Sequence, residues 1–189
     1  MTLRQKKRGF TLIELIVTIG TFALLTTSLV GNMRNTTKSV VLNNLANRVV
    51  TEIRGAQNYS LSSVSVGGAF VPYGVSFDAA TPKSFVFFMD KNGNGQYDAP
   101  TELINTLQLQ IGNTITKVCV NMKADNLTPS NCTQAPQSKM NITFKRPYPE
   151  PFFLPAGTPP YSDIDIVLSS DSGLQKTVIV WITGQLAIQ

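Results

Sequence analysis

Residues 6–17 read KKRGFTLIELIV. Three cations and a glycine are followed at once by an apolar run, and that run holds a single acid, Glu14. A lone carboxylate in hydrocarbon costs about 2.5–3.5 kcal/mol on insertion scales, so a membrane segment carrying one needs a partner for it. The apolar run continues as FTLIELIVTIGTFALLTTSLVG, from Phe10 to Gly31, with one charge and no proline. At about 1.5 Å per residue this makes roughly 33 Å of helix, long enough to cross a bilayer. The cations before it hold its start on the cytoplasmic side and place the rest of the chain outside the cytoplasm.

Three readings of this segment compete. A secretory signal peptide would be cut near the small residues Thr26–Ser28, but Glu14 gives its apolar core nothing. A plain single-span anchor tolerates Glu14 near the interface and leaves it without a role. A cut after Gly9 gives it one. The new α-amine on Phe10 is a cation, and a buried amine and a buried carboxylate offset each other's desolvation.

The residues Lys7-Arg8-Gly9-Phe10-Thr11-Leu12-Ile13-Glu14-Leu15 closely resemble the processing site of type IV pilins and type II secretion pseudopilins. The resemblance implies cleavage between Gly9 and Phe10 by a prepilin peptidase, N-methylation of Phe10, and a part for Glu14 in registering subunits during assembly. It also implies neighbouring pilin or pseudopilin subunits as partners. The expected location is the cytoplasmic membrane, then an extracellular or periplasmic filament. Many members bend this helix at a proline; here Gly31 lies near that point and no proline occurs.

Beyond Gly31 the chain turns polar, yet helical spacing persists. Val41/Leu42, Leu45/Ala46, Val49/Val50, Ile53 and Ala56/Gln57 recur every three or four residues, with Lys38, Asn43, Asn47, Arg48, Glu52 and Arg54 mostly on the other side. One helix from about Thr11 to about Ser60 fits this spacing; two helices broken at residues 31–35 is the competing reading. Past Ser62, Val-rich and aromatic runs alternate with Gly, Pro, Asn and Asp clusters. Strands are expected at Tyr73–Phe77, Ser84–Met89, Glu102–Ile111, Thr114–Asn121, Met140–Phe144, Asp163–Ser169, Lys176–Thr183 and Leu186–Ile188, with turns at 171–173 and 183–185. The expected fold is α+β: a long N-terminal helix, transmembrane in its first half, packed on a C-terminal antiparallel sheet. Its parts are a leader (1–9), an apolar assembly half (10–31), an amphipathic half (32–62) and an extracytoplasmic β-rich domain (63–189). In plan this resembles the minor pseudopilin H subgroup.

Residues 145–162, KRPYPEPFFLPAGTPPYS, hold six prolines. Proline removes a ladder donor, so no central strand fits here. The segment reads as an exposed loop pinned by Phe152 and Phe153, with a partner-binding loop and a structural crossover both open.

In DKNGNGQYD, Asp90, Asn92, Asn94 and Asp98 fall at offsets 0, 2, 4 and 8, and Gly95 at offset 5. This is the spacing of an EF-hand-type Ca²⁺ loop, in which Gln96 would supply its backbone carbonyl. The bidentate acid belongs at offset 11, and Glu102 comes one residue late. A metal-free hairpin turn accounts for the same composition.

Composition narrows the function. Of the 16 cations, Arg4, Lys6, Lys7 and Arg8 all precede Gly9; without them 12 cations face 11 acids. The basic pI is thus a property of the leader and predicts no nucleic-acid contact. The chain has no histidine, hence neither the commonest general base nor the commonest transition-metal ligand. No Ser or Cys nucleophile sits beside a visible base, so no enzyme is expected. Asp163 and Asp165, two apart on a strand, read as one solvent-facing side rather than a catalytic pair. Cys119 and Cys132, the two cysteines, suit one disulfide in an oxidising compartment, which would contribute about 3 kcal/mol. Two readings of different class stand together: a filament subunit, or a membrane-anchored binding or adhesion domain, calcium-binding and never polymerised.

Overall fold

The computed structural model describes residues 9–62, 70–122, 137–155 and 161–189, except for the side chains of 29–36. Residues 1–8 of the leader, and Cys132, lie outside the described residues. The described residues form one helix, α1 (Leu12–Ser62), and nine strands: β1 (Tyr73–Asp78), β2 (Ser84–Met89), β3 (Leu103–Gln108), β4 (Asn113–Met122), β5 (Lys139–Lys145), β6 (Tyr148–Leu154), β7 (Tyr161–Ser170), β8 (Gln175–Trp181) and β9 (Leu186–Ile188). The helix runs unbroken past Gly31, so the two-helix reading is set aside.

Two compact units divide the chain at Lys38. In the first, 9–38, the helix is capped rather than packed. Thr11 precedes the helix, and its Oγ1 accepts the N–H of Glu14 at 3.4 Å, while Leu15 N–H bonds Thr11 O at 3.2 Å. This is the donor half of a Thr-x-x-Glu capping box, with Glu14 on the first turn where the helix dipole favours an anion. Among the described residues no helix is long and apolar enough to cross a membrane. The expected transmembrane half, residues 10–31, lies partly outside the described residues, since the side chains of 29–31 are not described.

In the second unit, 39–189, α1 buries the stripe read from sequence: Leu42, Leu45, Ala46, Val49, Ile53 and Ala56. These side chains share one core with residues of two sheets. The expectation of a single sheet is thus corrected. One sheet has the order β3-β2-β1-β5-β6 and the other β4-β7-β8-β9, and every pairing is antiparallel. Gly112, at φ +86°, turns the chain after β3 so that β4 leaves its sequence neighbour and pairs with β7. Helix-facing residues of both sheets, such as Phe77, Ile142, Val118 and Ile166, fill the interior. Gly74 in the central strand β1 is required by close approach. A Cβ there would lie 2.7 Å from Ile142 O and 2.8 Å from the Phe88 ring.

The proline-rich segment is not a loop throughout. Tyr148–Leu154 is an edge strand paired with β5, Phe153 opposite Ile142. Edge position tolerates Pro149 and Pro151, because the outward N–H has no ladder partner to lose. Phe153 enters the core at 1% exposed, whereas Phe152 stays 55% exposed.

Candidate functional site

Two places carry chemistry, and each is built from its own local sequence. In the first unit, Gly9 and Phe10 lie exposed just ahead of the Thr11 cap. Phe10 is 80% exposed, and Leu12, Ile13, Leu15, Ile16, Ile19 and Phe22 are exposed along the helix behind it. The threonines interleaved with them offer no free donors. Thr18, Thr21, Thr26 and Thr27 donate their hydroxyls to the carbonyls of Leu15, Val17, Phe22 and Ala23 at 2.6–3.0 Å. A helix whose hydroxyls are satisfied within itself presents a surface as apolar as its leucines. So large an exposed apolar surface marks a place that lipid or protein covers. Glu14 is exposed on this surface and is its acid. The cap at Thr11 was not anticipated, although the Thr-x-x-Glu spacing signals it.

The second place is the connection between β2 and β3. Asp90 is 1% exposed and its carboxylate gathers the loop's own amides: Oδ1 accepts Gly93 N–H at 2.7 Å and Asn94 N–H at 3.1 Å, and Oδ2 accepts Gly95 N–H at 2.8 Å. Asn92 Oδ1 accepts Asn94 N–H at 3.0 Å, and Asn94 Oδ1 accepts Gln96 N–H at 2.7 Å. Asn92 and Asn94 thus each turn the backbone two residues on, Asp90 gathers the amides three to five residues on, and the chain coils. Gly95 takes φ +77°, and a Cβ there would meet Leu154 at 2.6 Å. The coil closes on Asp98, whose Oδ2 accepts Asn92 Nδ2–H at 2.7 Å and Asn94 Nδ2–H at 2.8 Å. Glu102, also buried, accepts Lys91 N–H on Oε1 and Asp98 N–H on Oε2, both at 2.9 Å. Thr143 and Asn141 of β5 fasten the loop to the sheet through Gly95 O and Tyr97 N–H.

Burial pushes the Asp90 carboxyl above its ordinary value; the Gly95 and Gly93 amides oppose the shift, and the Glu102 charge adds to it. Asp90, Asn92, Asn94 and Asp98 are linked by hydrogen bonds within one loop, to which Gln96 contributes its N–H. Glu102 reaches the same loop, with both oxygens engaged by backbone amides. Among the described residues no three Asp, Glu, His or Cys side chains gather to hold a metal. What converges is two carboxamides on one carboxylate, two N–H donors standing where a cation would.

Cys119 is buried on β4 and is not a free thiol; the pairing with Cys132 lies outside the described residues. The expectation that Asp163 and Asp165 share a solvent face is corrected. Asp165 is 1% exposed and Asp163 is half-buried.

Residues 4–30 match the family model described as the prokaryotic N-terminal methylation motif. No curated protein and no solved structure shows significant similarity to the chain. The match takes in Gly9, Phe10, Thr11 and Glu14 and stops short of the second unit.

Proposed function

We propose that the chain is a pilin-like structural subunit, a minor pilin or pseudopilin, of an extracytoplasmic type IV pilus or type II secretion filament. The observation that carries this reading is a match to the N-terminal methylation motif lying on a helix that is capped, internally satisfied and apolar around its outside. Prepilin peptidase would cut between Gly9 and Phe10, and Phe10 would be N-methylated. The amine so exposed stands beside the helix start, at the positive end of the helix dipole, where a cation is disfavoured. A carboxylate supplied by a neighbour's Glu14 offsets both that repulsion and the amine's desolvation. Before assembly the helix is held at the cytoplasmic membrane; in the filament, neighbouring helices replace lipid around it. The role is assembly rather than catalysis. Mass spectrometry of the native protein from a sheared filament fraction tests the reading. A chain beginning at methylated Phe10 in that fraction is the expected result, and an intact Met1 would overturn it.

A second reading is favoured by the β2–β3 coil: a membrane-anchored, calcium-binding domain that does not polymerise. Asp90, Asn92, Asn94 and Asp98 would hold the ion with the Gln96 carbonyl, and the ion would supply the positive charge that two amide groups now bring to Asp98. Two full charges make such a site weak. Millimolar Ca²⁺ raising the Tm of the wild type and not of Asp98→Asn, together with absence from the filament fraction, would favour this reading over the first.

A further inference from the structure

Asn121 at the end of β4 lies across from Asp163 of β7, and Cys119 across from Asp165. The Asn121 amide group bridges the two acids: Nδ2 donates to Asp163 Oδ2 at 2.6 Å and to Asp165 Oδ2 at 2.9 Å. Asp163 is completed by Ser162, whose hydroxyl donates to Asp163 Oδ1. Two oxygens are then left over, Asn121 Oδ1 and Asp165 Oδ1, both buried and both without a hydrogen bond. An unsatisfied buried acceptor forfeits its hydration without return, and native structures hold few of them. Both atoms are closed off from solvent, so no hydrated ion reaches them as they stand. A single proton needs no room, and the other oxygen of the same Asp165 carboxyl already lies 2.9 Å from the Asn121 amide nitrogen.

We propose that the folded protein holds a proton on Asp165 Oδ1, donated to Asn121 Oδ1, so that the two side chains form a cyclic acid–amide pair clamping β4 to β7, and that loss of this proton weakens the clamp. In the protonated state the N–H···O bond already present is matched by an O–H···O bond running the other way. In the ionised state the carboxylate faces an amide oxygen, and both are desolvated. Burial drives Asp165 up to about 6, the Asn121 hydrogen bond opposes this, and the Asp163 charge adds to it. The charged or titratable groups facing Asp165 among the described residues are few. Asp163 is on its own strand, and Lys117 on β4 is exposed and two cross-strand pairs further along. Cys119, directly across, does not titrate, and β8 presents Thr177, Ile179 and Trp181.

The test is thermal and urea unfolding of the full chain from pH 4.5 to 8, for wild type, Asp165→Asn and Asn121→Ala. Asp165→Asn replaces the acid by an amide that makes both bonds of the pair without a titrating proton. Relative to that variant, the wild-type unfolding constant should rise roughly thirtyfold from pH 4.5 to 8, levelling off above about 6. Asp90 titrates in both proteins and cancels in the comparison. Parallel pH profiles for wild type and Asp165→Asn would overturn the proposal. Should Asn121→Ala fail to fold, ¹³Cγ-aspartate NMR of the wild type, assigned against Asp163→Asn, still decides. A midpoint for Asp165 near 6 supports the pair, and an ordinary aspartate midpoint overturns it. Five millimolar Mg²⁺ or Ca²⁺ at pH 8 restoring the acid-side stability of the wild type, with no comparable gain in Asp165→Asn, would show a cation, not a proton, as the occupant, and would equally overturn it.

Discussion

At the scale of single residues, position relative to the backbone decides what an acid does. Glu14, Asp90 and Asp165 are three carboxylates in three settings. Glu14 stands exposed on the first helical turn, Asp90 gathers three amides of its own loop, and Asp165 is buried beside an orphaned carboxamide oxygen. Glu14→Leu leaves the Thr11 cap and the Gly9–Phe10 junction untouched. Cleavage should therefore proceed while recovery in the sheared filament fraction falls at least tenfold, read by immunoblot against the processed mass. Equal recovery of this variant would count against a neighbour's carboxylate meeting the Phe10 amine. Gly74→Ala places a methyl against a backbone oxygen that cannot step aside. Overpacking of this kind costs about 1–3 kcal/mol, seen as a lower urea midpoint at unchanged slope.

At the scale of elements, α1 and β6 show how far pattern reading reaches. The stripe Leu42–Ala56 was legible because a 3.6-residue period places one face inward whatever it packs against. Strand β6 was illegible. Its prolines bar a central strand, and nothing local says whether an edge is on offer; β5 supplies that edge from the other side of the core-facing ladder. The adjacent phenylalanines report the difference. Phe153→Ala should destabilise the second unit by about 3–5 kcal/mol, whereas Phe152→Ala should stay within about 0.5 kcal/mol, both by chemical denaturation. Similar losses for the two would contradict the strand's alternation.

At the scale of the whole molecule, protons link the loop and the strand pair to stability. Asp90 and Asp165 both have folded-state values above the ordinary 3.8, so between that value and the raised ones the folded chain binds more protons than the unfolded chain. Their contribution is fully present below the ordinary aspartate range and is lost as pH rises, for Asp165 through about 6. The Tm should therefore be higher at pH 5 than at pH 7.5; the reverse order, by calorimetry, would refute the linkage. The sequence by itself determined the processing motif, the long helix with its inward stripe, most strand positions and the coiling of the Asp90 loop, because each rests on residues within one or two turns of chain. Only the tertiary structure decided that β4 joins β7 instead of β3, that β6 is an edge strand, and that Asp165 is buried against Asn121. Those outcomes depend on which strands meet across dozens of residues. Pairing of that kind is settled by the shared core and by which buried polar atoms can be satisfied together, and no local period encodes it.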